Sequence, residues 1–147
     1  PNNYIEPDEL VNLIEVFWKA KDRFIDGYVQ KNPLNLTYRN LNIIKDFKYG
    51  MRKNFLLAVY EKNYTVLNDE GINYMVKGLN ENLDKFIPAE KTPMLIQTAI
   101  MPFNGMIIYD GFISTADMQL SPELVSKAFE DYSYGQKIYS LLPKNMN

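Results

Sequence analysis

Apolar residues recur at spacings of three and four near the start of the chain, the period of one face of an amphipathic helix. The residues on this pattern are Leu10, Leu13, Ile14, Phe17, Ala20, Phe24 and Tyr28. Asp8 is a suitable N-cap and Asn32-Pro33 ends the pattern, so we expect a helix from Asp8 to about Gln30. A second apolar line, formed by Val11, Trp18 and Ile25, predicts that this helix contacts two surfaces.

A weaker helical pattern follows, with apolar side chains at Leu34, Tyr38, Leu41, Ile44 and Phe47. It predicts a second helix that starts near Thr37 and ends near Gly50.

Shorter apolar runs separated by turn residues predict strands in the middle of the chain. The predicted strands are 55–60, 64–67, 72–76, 94–101 and 106–109. Asn104-Gly105 joins the last two, and this dipeptide is typical of the tight turn of a β-hairpin. Neither arm of the hairpin carries a charge, so we expect both strands to be central in the sheet, with Ile108 in the core. A short helical segment capped by Asn80 is expected between the third and fourth strands.

Helix signals return near the C-terminus, where Ser121 is a suitable N-cap, Pro122 suits the first helical position and Gly135 ends the helix. The whole order predicts an α+β fold. Its antiparallel sheet has about four to five strands, with the N-terminal helices and the C-terminal helix packed on it. No repeat or linker interrupts the sequence, so we expect one domain over residues 1–147. The chain starts without Met, which is compatible with a piece of a longer protein.

The composition excludes several kinds of chemistry. The chain contains no cysteine and no histidine, which rules out disulfides, zinc–thiolate sites and Ser-His-Asp or Cys-His catalysis by this chain alone. A metal would have to be a hard cation held by oxygen ligands. We expect neither a bound metal nor a cofactor, and no catalytic residue is assigned.

Charge and hydropathy describe an ordinary globular protein. The formal net charge is −2 and 46% of the residues are hydrophobic. No apolar run reaches the length of about 18 to 20 residues needed to span a membrane, and the polar N-terminus does not resemble a signal peptide. We therefore expect a cytoplasmic protein without a membrane partner.

Asp110 is the first candidate site residue, because it follows a predicted strand directly. With Tyr109 as a hydroxyl donor and Gly111 allowing close approach, it is a candidate ligand-binding residue, and Trp18 of the first helix is a candidate wall of the same pocket. The alternative is a turn in which Asp110 accepts a hydrogen bond from its own backbone.

A basic segment is the second candidate. Its cationic residues are Arg39, Lys45, Lys48, Arg52 and Lys53, interleaved with aromatic residues. Cations that contact phosphates and aromatic rings that stack on bases are typical of nucleic-acid binding. The net negative charge favours the alternative, a solvated helix face.

An acidic set is the third candidate, made up of Asp110, Asp117, Glu123, Glu130 and Asp131. Paired carboxylates can act as acid and base or hold Mg²⁺, but the spacing does not place two of them in one site. A solvated C-terminal helix is the simpler interpretation. Such a helix could also meet the basic segment of a second copy of the chain.

The string Pro102-Phe103-Asn104-Gly105-Met106-Ile107-Ile108-Tyr109-Asp110-Gly111 resembles a segment of poorly characterised bacterial proteins with the pattern PFxGxIIYDG. The similarity covers about residues 55–143, including 74–79, Tyr132 and 135–143. Some of those proteins carry a C-terminal SEC-C metal-binding motif, which requires Cys and His and is missing from this sequence. The resemblance implies a shared fold and a bacterial source, and it implies no activity.

Three functions follow from these features. The first is a non-enzymatic binding module, for which a protein partner or self-association is favoured over nucleic acid. The second is a hydrolase or transferase that uses Asp110 with a divalent cation. The third is a small-molecule sensing domain with a pocket between the sheet and the first helix.

Overall fold

The computed structural model describes residues 7–78, 83–115 and 120–143. Its contacts divide the chain into two compact units, Pro1–Lys48 and Tyr49–Asn147. The expectation of one domain over residues 1–147 stays a prediction, and the Asn80 cap lies outside the described residues.

The first unit is helical. Its helices are α1 (Pro7–Lys19), α2 (Lys21–Lys31) and α3 (Tyr38–Asp46), and a 3₁₀ turn follows at Phe47–Tyr49. The prediction of one continuous helix from Asp8 to about Gln30 is wrong, because Ala20 leaves the helical conformation, at φ −121° and ψ 25°. The Ala20 N–H still donates to the carbonyls of Val16 and Phe17, at 3.3 and 3.1 Å, so α2 follows α1 without a loop.

Asn32 ends α2 and fixes the turn into α3. It adopts the left-handed conformation, at φ 42°, and its side-chain oxygen accepts the Leu36 N–H at 2.7 Å. The Thr37 hydroxyl then accepts the Asn40 N–H at 3.3 Å, which is the N-cap interaction that starts α3. The predicted start of the second helix near Thr37 is confirmed.

Within its described residues, the second unit contains seven strands, one α-helix and two 3₁₀ turns, Leu83–Lys85 and Ala89–Lys91. The strands and the α-helix are β1 (Met51–Glu61), β2 (Tyr64–Asp69), β3 (Ile72–Lys77), β4 (Met94–Phe103), β5 (Met106–Tyr109), β6 (Ser114–Thr115), α4 (Pro122–Tyr134) and β7 (Gln136–Ile138). The α+β class, the five predicted strands and the C-terminal helix are confirmed. The short strands β6 and β7 were not predicted, since two or three residues are too few to show an alternation of apolar and polar side chains.

Strand pairing closes the sheet into a barrel. The order is β1-β2-β3-β5-β4, and β1 also pairs with β4, so the last strand returns to the first. The sheet is mixed and not antiparallel as predicted, because β3 pairs in parallel with both β5 and β7. This order, with β1 shared between β2 and β4, makes a closed ring of five strands.

Strand β1 can pair with both β2 and β4 because it is long and contains a bulge. Its first part, Met51–Leu57, pairs with β4, and its second part, from Leu56 to Glu61, pairs with β2. The register shifts between Leu57 and Val59, and such bulges bend a strand and increase its twist. The bend lets one strand close the barrel.

Alternating side chains fill the barrel interior. The buried members of this core are Phe55, Leu57, Leu67, Tyr74, Val76, Leu83, Ile87, Ile96, Ile100 and Ile107. Leu83 and Ile87 come from the connection between β3 and β4, and the Tyr60 hydroxyl donates to the Ile87 carbonyl at 2.7 Å. This connection therefore contributes to the core although it is not a strand.

Helix α4 packs on the outside of the barrel. Ser121 accepts the Leu124 N–H at 3.3 Å and Pro122 is the first helical residue, as predicted. A second buried cluster lies on the outer side of β1, β2 and β3 and consists of Ala58, Val66 and Met75, with Tyr132 packed against it. Helix α4 thus covers the outer side of these three strands.

Asn73 of β3 holds the C-terminal end of α4. Its side chain is fully buried, and its amide nitrogen donates to the carbonyls of Tyr132 and Gly135, at 3.0 and 3.2 Å. Its oxygen accepts from the Asn68 amide at 2.8 Å. One buried amide therefore satisfies carbonyls that the end of a helix leaves without intrahelical partners.

Candidate functional site

Asp110 forms a turn at the end of β5. Its Oδ1 accepts the Phe112 N–H at 2.9 Å, which is the Asx turn that aspartate forms with the residue two positions later. The same oxygen lies 3.5 Å from the Thr98 hydroxyl, and Gly111 has φ +88°. Asp110 therefore accepts a hydrogen bond from the backbone of its own turn, as in the second of the two interpretations given above.

The electrostatic environment of Asp110 is dominated by burial. Desolvation raises the pKa of this carboxyl, and the hydrogen bond from Phe112 and the charge of Arg52 oppose the rise. Arg52 Nη1 also donates to the Phe112 carbonyl at 3.2 Å, so Arg52 and Asp110 both hold the 110–112 turn.

We expect Asp110→Asn to be at least as stable as the native protein at pH 7. The amide oxygen still accepts the Phe112 N–H, and the cost of burying the charged form disappears. Because the folded-state pKa is raised, the folded state binds more protons just above the ordinary aspartate pKa, so the native protein loses stability as pH rises through that window. The advantage of the variant should therefore shrink as pH falls to the ordinary pKa and below.

Asp110→Ala is the matched control. It removes the acceptor and should cost about 0.5 to 1.5 kcal/mol, the usual net value of one hydrogen bond. Urea melts of both variants at pH 7 and at acidic pH measure the difference. Equal destabilisation by Asn and Ala at pH 7 would show instead that the carboxylate charge stabilises the fold.

The other members of the first candidate set lie in different surroundings. Tyr109 is half-buried and packs against the barrel core. Trp18 lies on α1 in the first unit, where its ring meets the Phe17 ring edge-on at 5.5 Å between centroids. Asp110, Tyr109 and Gly111 are neighbours in sequence within the second unit, and Trp18 belongs to the first.

The basic residues of the first unit are spread over α3 and the turn after it. Arg39 and Lys45 are exposed and lie six residues apart on α3, a spacing that does not align two side chains on one helical face. Lys48 pairs with Asp26 of α2 at 2.7 Å.

The remaining two basic residues lie on β1 in the second unit. Because successive side chains of a strand point to opposite faces, Arg52 and Lys53 lie on different faces. Lys53 pairs with Asp69 at 2.8 Å. The assignment of the five residues to a nucleic-acid site stays a prediction, and at Lys48 and Lys53 the structure gives the cations carboxylate partners.

The acidic residues within the described part of the chain do not converge. Glu123 and Glu130 are exposed on α4, and Asp131 forms an i,i+4 pair with Lys127 at 3.5 Å. Asp117 lies outside the described residues. In the described ranges, no three His, Cys, Asp or Glu side chains are grouped so that they could hold a metal ion.

A groove of about 230 Å³ separates the N-terminal half of α4 from the barrel. Leucines line it from both sides, among them Leu56 of β1, Leu95 of β4 and Leu124 of α4. Carboxylates of Asp69 and Asp131 lie at the polar rim, each paired with a lysine as described above. The sequence does not reveal this groove because its walls come from strands and a helix that are distant in sequence.

Helix α1 carries apolar side chains on two sides. Leu10, Ile14 and Trp18 are half-buried at i, i+4 and i+8. Leu13 and Val16 remain exposed by 56% and 55%. The apolar residues of α1 thus span a wide arc, and the expectation that this helix contacts two surfaces stays a prediction.

The exposed side continues into α2. Phe17 and Phe24 are exposed, and their rings stack with centroids 6.0 Å apart. We call Leu13, Val16, Phe17 and Phe24 the Leu13 surface. Among the described residues of the first unit, Ile25 is the one buried hydrophobic side chain, so most of the apolar area of these helices is not enclosed.

No helix in the described ranges is both long and apolar enough to cross a membrane. Comparison of the chain with protein-family models, curated proteins and solved structures found no match. The resemblance to PFxGxIIYDG proteins stays a prediction. What the structure adds is a physical role for that string: it forms the β4–β5 hairpin and the Asx turn after it.

Proposed function

We propose that this protein is a binding module whose partner is a protein, and that the Leu13 surface is its contact. The observation that carries the proposal is the exposure of four large apolar side chains along one side of α1 and the start of α2. Large contiguous apolar patches are uncommon on monomeric soluble proteins and often mark interaction sites.

The energetics favour an apolar contact over a charged one. Burying a side chain such as Leu, Val or Phe is worth about 1.5 to 3 kcal/mol, whereas an exposed ion pair contributes about 0.2 to 1 kcal/mol. The four side chains are already partly covered, so docking would gain only a part of that value for each of them. Charges nearby would set the orientation. A protein partner provides a matching apolar surface, which the phosphate backbone of a nucleic acid does not.

The enzymatic alternative receives less support. Asp110 is engaged in its own turn, and the described carboxylates do not gather into a metal-binding group. A binding module is the function that agrees with both observations.

The proposal is tested by replacing Phe17 with a photo-crosslinking phenylalanine analogue in cells that express the protein. Discrete adducts are expected at position 17, and they should disappear when Leu13→Glu is added. The matched control places the same analogue at Phe86, which is 65% exposed in the second unit. The absence of adducts at 17, or adducts that ignore Leu13→Glu, would contradict the proposal.

The loss of adducts supports the proposal only if the Leu13→Glu variant is folded. Leu13 is exposed, so Leu13→Glu should change the free energy of unfolding by no more than about 0.5 kcal/mol, as surface substitutions do. A much larger loss would show that the Leu13 surface is part of the fold and not a docking site.

A further inference from the structure

We propose that the groove between α4 and the barrel binds a small organic cation, namely a primary amine with an apolar body. The groove lies in the second unit, so this inference goes beyond the proposed function and does not depend on the Leu13 surface. It is carried by two features of one cavity, which are its apolar walls and the excess of negative charge at its rim.

The size and the walls of the groove suit a small apolar body. Its volume is about 230 Å³, which is space for about eight water-sized groups at about 30 Å³ each. Leu56 and Leu95 line it on the barrel side and Leu124 on the side of α4. Leu56 and Leu95 are half-buried and Leu124 is 50% exposed, so a ligand of this size would remove apolar surface from water, which favours binding.

The charged residues that line the groove are mostly acidic. Asp69, Glu70 and Asp131 supply three carboxylates, and Lys127 supplies one ammonium group. Lys53, which does not line the groove, pairs with Asp69, and one negative charge is still in excess when Lys53 is counted. A cation complements this charge, whereas an anion would meet like charges.

The two lysines hold their carboxylates weakly. The ammonium nitrogen of Lys127 lies 3.5 Å from the Asp131 carboxylate, and the Lys127 side chain is 69% exposed. The order of this pair, with the lysine before the acid, is the less favourable one along a helix. The Lys53 side chain is 44% exposed. Exposed pairs contribute little to stability, so the ammonium group of a ligand can replace either lysine at small cost.

Helix α4 adds to the negative potential at the rim. The C-terminal end of a helix has a partial negative charge, which favours basic residues in the last turn. The last turn of α4 contains no basic residue, and Glu130 and Asp131 lie near that end. The stability of the helix does not explain these acids, and departures from local preference are expected at functional sites. A bound cation would supply the positive charge that this helix end lacks.

Titration with 2-phenylethylamine, followed by NMR of labelled leucine methyl groups, is the first experiment. At pH 7 this amine is an ammonium ion, as lysine is. The methyl signals of Leu56, Leu95 and Leu124 should shift with a Kd of about 1 mM or lower, which is reasonable for so small a ligand. The absence of shifts at about 10 mM amine, ten times the expected Kd, would overturn the site.

Two analogues of the probe test the requirement for a cation. The neutral 2-phenylethanol has the same shape and should bind about fivefold more weakly or worse, because it lacks the ion pair with the rim. The anionic 3-phenylpropionate should not bind. Equal affinities for the amine and the alcohol would show a purely apolar groove and would overturn the assignment of an amine.

Glu70→Lys tests the rim of the groove. Glu70 is exposed at the β2–β3 turn, so the substitution should leave the fold intact. It should weaken binding of the amine by about fivefold or more, because a repulsive charge replaces an attractive one. The matched control is Glu90→Lys, which makes the same charge change at an exposed residue outside the groove and should leave the Kd unchanged. Equal losses would show that the amine responds to the net charge of the molecule and would overturn the site.

Leu124→Ala tests the apolar wall. It removes contacts that the amine and the alcohol share, so it should weaken both by about threefold or more, whereas Glu70→Lys should act on the amine. The control is Phe129→Ala, which removes a side chain that is 54% exposed on the same helix and does not line the groove. Unchanged binding in Leu124→Ala would contradict the placement of the ligand.

Other occupants and the proposed function are separated by two further measurements. Shifts of the three leucines that follow protein concentration in the absence of amine would mean that a second copy of the chain fills the groove, and they would overturn the inference. Leu13→Glu should leave the Kd for the amine unchanged. Failure of the amine to bind therefore leaves the Leu13 surface as a protein contact, and failure of crosslinking at Phe17 leaves the groove.

Discussion

Gly135→Ala is expected to destabilise the second unit by at least about 3 kcal/mol, the upper part of the range for overpacking a tight site. A Cβ at this position would lie 2.3 Å from the Gly71 carbonyl oxygen and 2.4 Å from the Asp131 carbonyl oxygen. Both obstacles are backbone atoms, which cannot rotate away. The new methyl would also lie 2.9 Å from the Asn73 amide nitrogen, which holds the end of α4.

Gly27→Ala is the control for this prediction. Nothing lies within 4 Å of a Cβ at Gly27, and alanine within a helix is favoured over glycine by about 0.5 to 1 kcal/mol. Urea unfolding followed by circular dichroism should therefore show a loss for Gly135→Ala and none for Gly27→Ala. A normal melt for Gly135→Ala would mean that α4 can shift away from β3 at little cost.

Ile108→Ala is expected to cost about 2 to 5 kcal/mol, the range for removing most of a buried isoleucine side chain. Ile108 is 4% exposed, and its backbone is fixed on both sides, by Met101 of β4 and Lys77 of β3. Because Ile107 belongs to the interior core, the Ile108 side chain faces outward, and the paired backbone beneath it has little freedom to close the cavity.

Leu124→Ala provides the comparison within the same unit. Leu124 is 50% exposed and lies on α4, where alanine is a good helix former, so its cost should stay near the value of about 0.5 kcal/mol typical of surface sites. Equal losses for the two variants in urea melts would show that Ile108 is not part of a close-packed region.

The exposed side of α1, the groove under α4 and the turn at Asp110 differ in how well they can be predicted from the sequence. The apolar arc of α1 is visible in the spacing of Leu13 and Phe17, because one helix contains the whole pattern. The groove under α4 is not visible, since Leu56, Leu95 and Leu124 come from three separate elements. Asp110 is ambiguous in the sequence because a turn and a ligand site use the same side chain. The structure shows that it forms the turn, with its Oδ1 2.9 Å from the Phe112 N–H, and its role in ligand binding stays a prediction.

Residue type alone does not always predict where a helix ends or why a glycine is needed. Ala20 interrupts the predicted first helix although it is neither glycine nor proline and alanine is the best helix former. Gly135 ends α4 as its residue type indicates, but its φ of −71° is accessible to any residue. Glycine is needed there because β3 and the β2–β3 turn come too close for a side chain, and that approach is a property of the packed structure.

The sequence by itself determined the elements whose information is local: the caps at Thr37 and Ser121, the Asn104-Gly105 hairpin, the five main strands and the absence of thiol and imidazole chemistry. Tertiary structure decided how those strands are joined. The parallel pairing of β3 with β5 and the return of β1 to β4 close the barrel, and both depend on contacts between residues far apart in the chain. The same long-range packing places α4 on the outer face of the barrel.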